Sequence, residues 1–467
     1  MESRFDSHYG LGVLDELPRP EIPHAAPRRR GGPATALEAR PAAALALRGC
    51  VLTPDRKIDR GYVVVEGSTI AEVRSTKPSG VRVIDTDGVI LPGLIDLHGH
   101  PEFNIFAAWE PPKTYINRYA WRGSDEYKAV VRAPWDILTD APSLLRDLTR
   151  YAEARALVGG VTAIQGASAR YKDAPESLVR NVDLWIFGEH KARSRIDLDG
   201  RLMDERQRLR AAIDAGDVTA FYIHVAEGHP SNERSRKEFD KLDDAGLLTE
   251  ATVIIHGTAL SDDQLGRLHE VKGKLVWSPQ SNLRLYGETT NAAKALELKI
   301  PVGLGADWLP SGSRSLLDEI KVARERLVQQ GVNLTQKALS KKLVRMVTAD
   351  AAKIAGLGDK LGRIDVGRAA DITVLERSYK DPWQNVVEAD PSWVELVMID
   401  GFLVYGRDEW MDRLAPTPDL EPVIAWGKPM KLDTSFAVAA TGEPPVRLRE
   451  IREKLLGRYL QTGPIFA

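Results

Sequence analysis

The segment LPGLIDLHGHPEFN, residues 91–104, runs from apolar side chains straight into His98-Gly99-His100. Ahead of it, "ALRGCVLTP", "GYVVVEGSTIAEVRS" and "VRVIDTDG" are short β-branched runs broken by Gly, Pro and Asp, the texture of a small antiparallel β unit. Behind it, strand-like and helix-like segments alternate. "GLIDLH", "GVTAIQG", "NVDLWIF", "TAFYIHV", "ATVIIHG", "KLVWSP" and "IPVGLGAD" are apolar runs of strand length, and amphipathic segments such as "MDERQRLRAAIDAG" and "SDDQLGRLHEVKG" lie between several of them. Continuous apolar strands alternating with helices predict a parallel sheet buried on both faces. These are seven strand candidates, and a (β/α)8 TIM barrel needs one more, expected between Gly188 and Val218. Counting alone leaves a doubly wound sheet open.

After the helical stretch "ALSKKLVRMVTADAAKIAGL", β character returns in "GRIDVGRAADITVLE", "VELVMIDGFLVYG" and "KLDTS". The simplest α/β architecture is a TIM barrel inserted into a small β-sandwich domain made from N- and C-terminal segments. The expected division is an extension over 1–42, a split β-sandwich over 43–91 and 358–440, a barrel over 92–357 with an aromatic insert at 101–140, and a C-terminal helix or tail over 441–467.

Composition narrows the function. The chain has 467 residues, 43% hydrophobic and 28% charged, enough for a large buried core. A formal charge of -2 supplies no field to attract nucleic acid or an anionic membrane surface. Cys50 is the one cysteine, which excludes an intrachain disulfide and fits a reducing cytoplasm. No stretch is apolar enough to span a bilayer. Arg28-Arg29-Arg30 is followed by charge rather than the greasy core of a signal peptide. The expected partner is a small molecule, with no nucleic acid, no membrane and a homo-oligomer left open.

Four signals stand at the C-terminal ends of the strand candidates, the face on which barrel enzymes place their active sites. In an extended strand, His98 and His100 point the same way, a pairing that suits Zn²⁺. His224 ends "FYIHV" and Glu227 follows three residues later. His256 ends "TVIIH", and Asp307 ends "PVGLGAD". Each has an ordinary structural explanation, such as a capped strand end or a satisfied buried histidine. Together they are harder to set aside. Four of nine histidines and one aspartate directly follow strand-like runs. Imidazoles with a carboxylate form a plausible mononuclear site whose metal brings the pKa of water toward neutrality.

The order His-x-His, His, His, Asp across a barrel inserted in a split β domain resembles the amidohydrolase superfamily. "GLIDLHGH", "GVTAIQG", "HVAE", "SPQSNLRLYG", "GADWLPSGS" and "GRIDVGRAADITVL" carry the resemblance over about residues 46–405. "HVAE" with the all-histidine strand set resembles the mononuclear deaminase and chlorohydrolase branch, cytosine and guanine deaminases among it. The resemblance implies His98, His100, His224 and Asp307 as ligands of one divalent metal ion. It implies Glu227 as a proton shuttle to the leaving nitrogen and His256 as the group that orients the nucleophile or polarises the atom under attack. Asp307 is also a candidate acceptor of the water's proton. Zinc is the default metal, with iron and manganese as alternatives. A binuclear site bridged by a carboxylated lysine would draw on Lys172 or Lys191, both in polar surroundings, which favours one metal.

Roughly sixty residues separate the first two clear strands, long for a βα connection. Phe103, Phe106, Trp109, Tyr115, Tyr119, Trp121, Tyr127 and Trp135 crowd this insert, with Arg118 and Arg122 interleaved. It reads either as a satellite hydrophobic cluster or as a pocket wall that shields the metal and stacks a planar substrate. Glu102, Phe103, Trp109, Asn282, Arg284, Tyr286 and Trp308 are the candidate substrate contacts. The expected activity is metal-dependent hydrolysis of a carbon–nitrogen bond other than a peptide bond. The substrate is a small N-heterocycle or a cyclic or linear amide, and deamination is favoured. The alternatives are tailoring of a larger natural product or peptide, a non-catalytic barrel scaffold, and an isomerase or decarboxylase on the same fold.

Overall fold

A computed structural model describes residues 44–53, 55–141, 144–166, 177–184, 186–414, 420–435, 446–463 and 465–466. The expected extension over 1–42 and Lys172 lie outside the described residues. The fold is mixed α/β with two parallel sheets and one larger mixed sheet.

The larger sheet joins the two ends of the chain. Its first strands are β1 (Leu45–Leu52), β2 (Lys57–Glu66), β3 (Thr69–Arg74) and β4 (Arg82–Pro92). The parallel sheets hold β5 (Leu94–Asp96), β6 (Val161–Ile164), β7 (Arg180–Asn181), β8 (Ala192–Arg195), β9 (Ala220–Val225), β10 (Thr252–His256), β11 (Lys274–Trp277) and β12 (Val302–Leu304). The chain then returns to the larger sheet with β13 (Ile372–Leu375), β14 (Val394–Ile399), β15 (Phe402–Arg407), β16 (Leu420–Ala425) and β17 (Lys428–Asp433).

The larger sheet is one nine-stranded unit in the order β16-β17-β15-β14-β13-β4-β1-β2-β3. β13 pairs antiparallel with β4, so the C-terminal segment closes directly on the N-terminal one. Leu47, Val63, Ile84, Ile372, Leu396 and Met398 share one of its cores. Their β-branched and aliphatic side chains alternate along pleated strands, which is how such runs bury one face.

β5, β6 and β7 form a three-stranded parallel sheet, and β8 to β12 a five-stranded one. The Leu97 N–H donates to Leu304 O at 3.1 Å, and Gly99 bridges Asp307 in parallel sense, so β5 and β12 meet at their C-terminal ends. β8 occupies the interval 188–218 where the texture left a strand unaccounted for. Among the described residues of "NVDLWIF", 181–187, only Asn181 belongs to a strand, β7. The Asp183 N–H donates to Asn181 Oδ1, and the Asp183 carboxylate accepts from Gln165 Nε2 at 2.8 Å. These side-chain bonds turn the backbone out of the ladder.

The aromatic insert winds through short helices, Arg118–Arg122, Asp125–Tyr127 and Ala133–Thr139, before the long helix Leu144–Val158. Phe103, Phe106, Trp109, Tyr115, Trp121, Tyr127 and Trp135 are all buried. Phe103 stacks on Trp135 with centroids 4.4 Å apart. The amphipathic tail forms the helix Leu448–Arg458, which packs against Leu144–Val158. Arg180 at β7 ties the parallel sheet to the nine-stranded one through Asp371, at 2.7 and 2.9 Å, and Asp400 at 3.0 Å.

Candidate active site

The candidate residues arrive at one place because each stands at or just beyond the C-terminal end of a parallel strand. His98 and His100 follow β5, His224 lies near the end of β9, His256 closes β10, and Asp307 follows β12. Ala226, His256 and Asp307 all take left-handed backbone, with φ of 56°, 66° and 61°. Such conformations cost free energy in non-glycine residues and persist only where surrounding contacts hold them. Here the Ala226 N–H is held by Glu238 Oε2 at 2.9 Å, and the Asp307 N–H by His98 O at 2.9 Å. Gly305 permits the close approach of β12 to His98: a Cβ there would sit 2.5 Å from His98 Cβ.

The imidazoles converge. Ring centroids of His98 lie 4.9 Å from His100, 4.8 Å from His224 and 5.1 Å from His256. Asp307 Oδ1 lies 3.2 Å from His98 Nε2 and 3.5 Å from His100 Nε2. Candidate ligand atoms of His98, His224 and His256, and of His98, His100 and Asp307, fall within 4.8 Å of one another. Both ring nitrogens of His98 and Nδ1 of His224 are buried with no hydrogen-bond partner among the described residues. Converging buried imidazoles beside a carboxylate, with Nδ1 of His98 and of His224 lacking any partner among the described residues, are a donor set fitted to a divalent cation.

The electrostatics favour neutral His100, His224 and His256 around an ionised Asp307, with His98 as the exception. Burial pushes the His100 pKa down to about 3, and burial with the neighbouring imidazoles pushes His224 well below the usual histidine range. Burial also lowers His256. His98 moves the other way: burial opposes its charge, but Asp307 beside it raises the pKa. Burial would raise Asp307, but His98, His256 and His100 hold it below the ordinary carboxylate range.

Glu227 is buried at the edge of this cluster, with Oε2 3.9 Å from His256 Nε2. The Tyr286 hydroxyl donates to Glu227 Oε1 at 2.6 Å, and the Trp121 indole donates to Tyr286 at 2.9 Å. Arg118 stands 3.8 Å from Glu227 Oε2 and also binds Glu238 and Asp197. His256 Nδ1 lies 2.9 Å from Asn282 Oδ1, while Asn282 Nδ2 donates to Thr289 and Thr290. That assignment makes Nδ1 the proton-bearing nitrogen, so Nε2 presents a lone pair toward Glu227 and Asp307.

One cleft is bordered by His100, His224, Glu227, His256, Asp307 and Trp308, together with Trp121, Arg122, Tyr127 and Ile196. Its cavity volume is about 40 Å³. An adjoining cleft is bordered by Glu102, Gln165, Asp183 and Ser194 beside His98 and His100. Of the sequence-expected contacts, Glu102 and Trp308 border these clefts. Asn282 and Tyr286 stand one residue behind, on His256 and Glu227. Phe103 packs under Trp308, and Trp109 packs on Tyr115 and Tyr127. Arg284 reaches Pro310 O at 3.3 Å and Glu110 at 3.5 Å. Lys191 immediately precedes β8, at the strand end opposite the histidines, with Nζ on Gly216 O at 3.1 Å. Sequence reasoning did not assign Arg122, Asp197 or Ile196 to the site. The density of arginine and aromatic residues in the insert was the available signal for Arg122.

The described residues contain no helix long and apolar enough to cross a membrane. A family described as "Amidohydrolase family" matches residues 89–404. The chain is 26% identical over 434 residues to a 5-methylthioadenosine/S-adenosylhomocysteine deaminase from Desulforamulus reducens, covering 81% of this chain and 96% of that one. It is 25% identical over 389 residues to the guanine deaminase of Mus musculus, covering 72% and 84%. In structure it is similar to an adenosine deaminase from Xanthomonas campestris with bound zinc, at a TM-score of 0.64 and 16% identity, covering 88% and 98%.

Proposed function

The chain belongs to the amidohydrolase family, and on that premise we propose that it is a metal-dependent hydrolytic deaminase of a small amino-substituted N-heterocycle. The carrying observation is the placement of Glu227. Tyr286 holds its carboxylate beside His256 at the edge of the imidazole and Asp307 cluster. Similarity to deaminases of guanine and of S-adenosylhomocysteine supports a carbon–nitrogen bond of a small ring as the target.

His98, His100, His224 and Asp307 would hold one divalent metal, with zinc favoured for an imidazole-rich set. Bound there, the cation supplies Lewis acidity and lowers the pKa of water. Glu227 takes a proton from the attacking water and delivers it to the departing nitrogen. His256 directs its Nε2 at the reacting atoms, and Asn282 keeps that tautomer in place. Asp307 Oδ2, 4.0 Å from His256 Nε2, is a second proton acceptor. Trp121, Tyr127 and Trp308 exclude water from the cleft.

The two parallel sheets read together as an eight-stranded (β/α)8 barrel over 92–357, joined where β5 meets β12. The nine-stranded sheet supplies the split β domain over 43–91 and 358–440. Buried Cys50 as the lone thiol suits a cytoplasmic enzyme. The scaffold reading is not favoured because the site keeps a full ligand set, and the isomerase, decarboxylase and natural-product readings are not favoured because the similar proteins are deaminases of small heterocycles.

Metal analysis with an ammonia-release and mass-shift screen on guanine, cytosine, adenosine and S-adenosylhomocysteine tests the reading. Ammonia release that falls at least ~100-fold in Glu227→Gln with metal retained is expected. Fully metallated protein that releases no ammonia from any aminated N-heterocycle, or turnover unchanged in Glu227→Gln, overturns it.

A further inference from the structure

Arg118 and Arg122 sit four residues apart on the helix Arg118–Arg122, and both reach Asp197. Their circumstances differ. Arg118 is buried and bonded to Asp197, Glu238 and the Tyr119 hydroxyl. Arg122 holds Asp197 Oδ2 at 3.2 Å, and its Nε is buried with no hydrogen-bond partner among the described residues. Asp197 is thus one carboxylate shared between two guanidiniums. Arg122 borders the same cleft as His100, Glu227 and Asp307. Aromatic rings form the adjoining wall, with the Trp308 centroid 5.5 Å from Trp121 and 6.1 Å from Tyr127.

A guanidinium with a spare donor at Nε, bordering an aromatic-walled cleft, favours a partner with acceptor lone pairs, those of oxygen above all. Its charge beside the imidazole cluster disfavours a cationic group and favours an electron-rich one. We propose that the substrate is a planar heteroaromatic ring bearing an oxygen acceptor, carbonyl or carboxylate, and that Arg122 is the residue that binds that oxygen. The proposal rests on the deaminase reading for the cleft's role and goes beyond it in naming what the substrate must carry. Selectivity follows because a ring lacking the oxygen leaves a buried donor without a partner.

The test is calorimetric titration of the metal-loaded protein with purine, hypoxanthine and purine-6-carboxylate, none of which carries an amine to release. Wild-type protein is expected to bind hypoxanthine or purine-6-carboxylate at least ~10-fold more tightly than purine. The tighter of the two identifies the oxygen as carbonyl or carboxylate. Arg122→Met is expected to bring that preference within about twofold, with purine affinity unchanged. Should Arg122→Met fail to fold, Arg122→Lys carries the test: it keeps the charge but loses the planar fork, and the preference should drop at least ~3-fold. Equal binding of all three ligands, binding of none, or a preference untouched in the folded variant overturns the inference. The deaminase reading fails separately, when Arg122-dependent binding is found but no aminated heterocycle releases ammonia.

Discussion

The hydroxyl of Tyr286 donates to Glu227 Oε1 at 2.6 Å, across 59 residues of sequence, and is itself held by the Trp121 indole. This chain of bonds fixes one rotamer of the carboxylate that faces His256. Tyr286→Phe removes the donor and leaves the Trp121 N–H unpaired. The expected result is a kcat lower by about tenfold with KM changed less than threefold, and a stability cost of about 1–2 kcal/mol. Steady-state kinetics and urea unfolding of the variant check both. A KM increase with unchanged kcat would place Tyr286 in substrate binding instead.

Gly305 lets β12 pass against His98. In Gly305→Ala the new methyl would lie 2.5 Å from His98 Cβ and 2.6 Å from its backbone nitrogen, so the histidine must move. Metal affinity should fall at least ~10-fold, with a destabilisation of about 1–3 kcal/mol. Competition with a chromogenic chelator reads the first and thermal melting the second. Unchanged affinity would mean that His98 is not a ligand.

Asp307 stands within 3.5 Å of both His98 and His100. Asp307→Asn keeps the shape but removes the charge. The purified variant should carry well under half the metal of the wild type by elemental analysis, and chelator treatment should lower the wild-type melting temperature toward that of the variant. Full metal content in both His98→Ala and His224→Ala would refute the site.

Glu319 is fully buried, accepting from the Gln280 N–H and from the Ser313 hydroxyl, and burial raises its pKa to about 8. A raised acid is protonated in the folded state where the unfolded chain is ionised. Its contribution is therefore complete below the unfolded value of 4.5 and is lost as pH rises toward about 8. Glu319→Gln removes that titration while keeping an amide oxygen as acceptor. The variant should gain stability relative to wild type between about pH 5 and pH 8, by no more than about 1.4 kcal/mol per pH unit, and level off above. Paired melts across that range decide it; a constant difference would show that Glu319 does not titrate there.

Arg180 joins β7 to Asp371 and Asp400 beside the nine-stranded sheet, and both Arg180 and Asp371 are buried. Arg180→Ala strands a buried carboxylate at that junction. A loss of about 3–5 kcal/mol in denaturant unfolding is expected. A loss under about 1 kcal/mol would show that apolar packing alone holds the junction.

Much of this site was readable in one dimension. His98, His224, His256 and Asp307 each follow an apolar run of strand length, and the hydrophobic period is a local signal that shows where a strand ends. The change of texture at Leu91 and its reversal after Leu357 marked the parallel region and its return to β structure for the same reason. β7 was overestimated because the side-chain bonds of Asn181 and Asp183 outcompete the ladder there, and a propensity reading cannot weigh them.

Linear order thus carries the strand–helix alternation, the strand-end histidines and the exclusion of a disulfide, since each rests on residues near one another or on composition. Three-dimensional closure alone decides that Tyr286 and Trp121, 165 residues apart, restrain Glu227, that Asn282 sets the His256 tautomer, and that Arg118 and Arg122 share Asp197. Such pairings join loops from different strands. Their existence depends on which strand ends the sheets bring together, and no local periodicity encodes that distance.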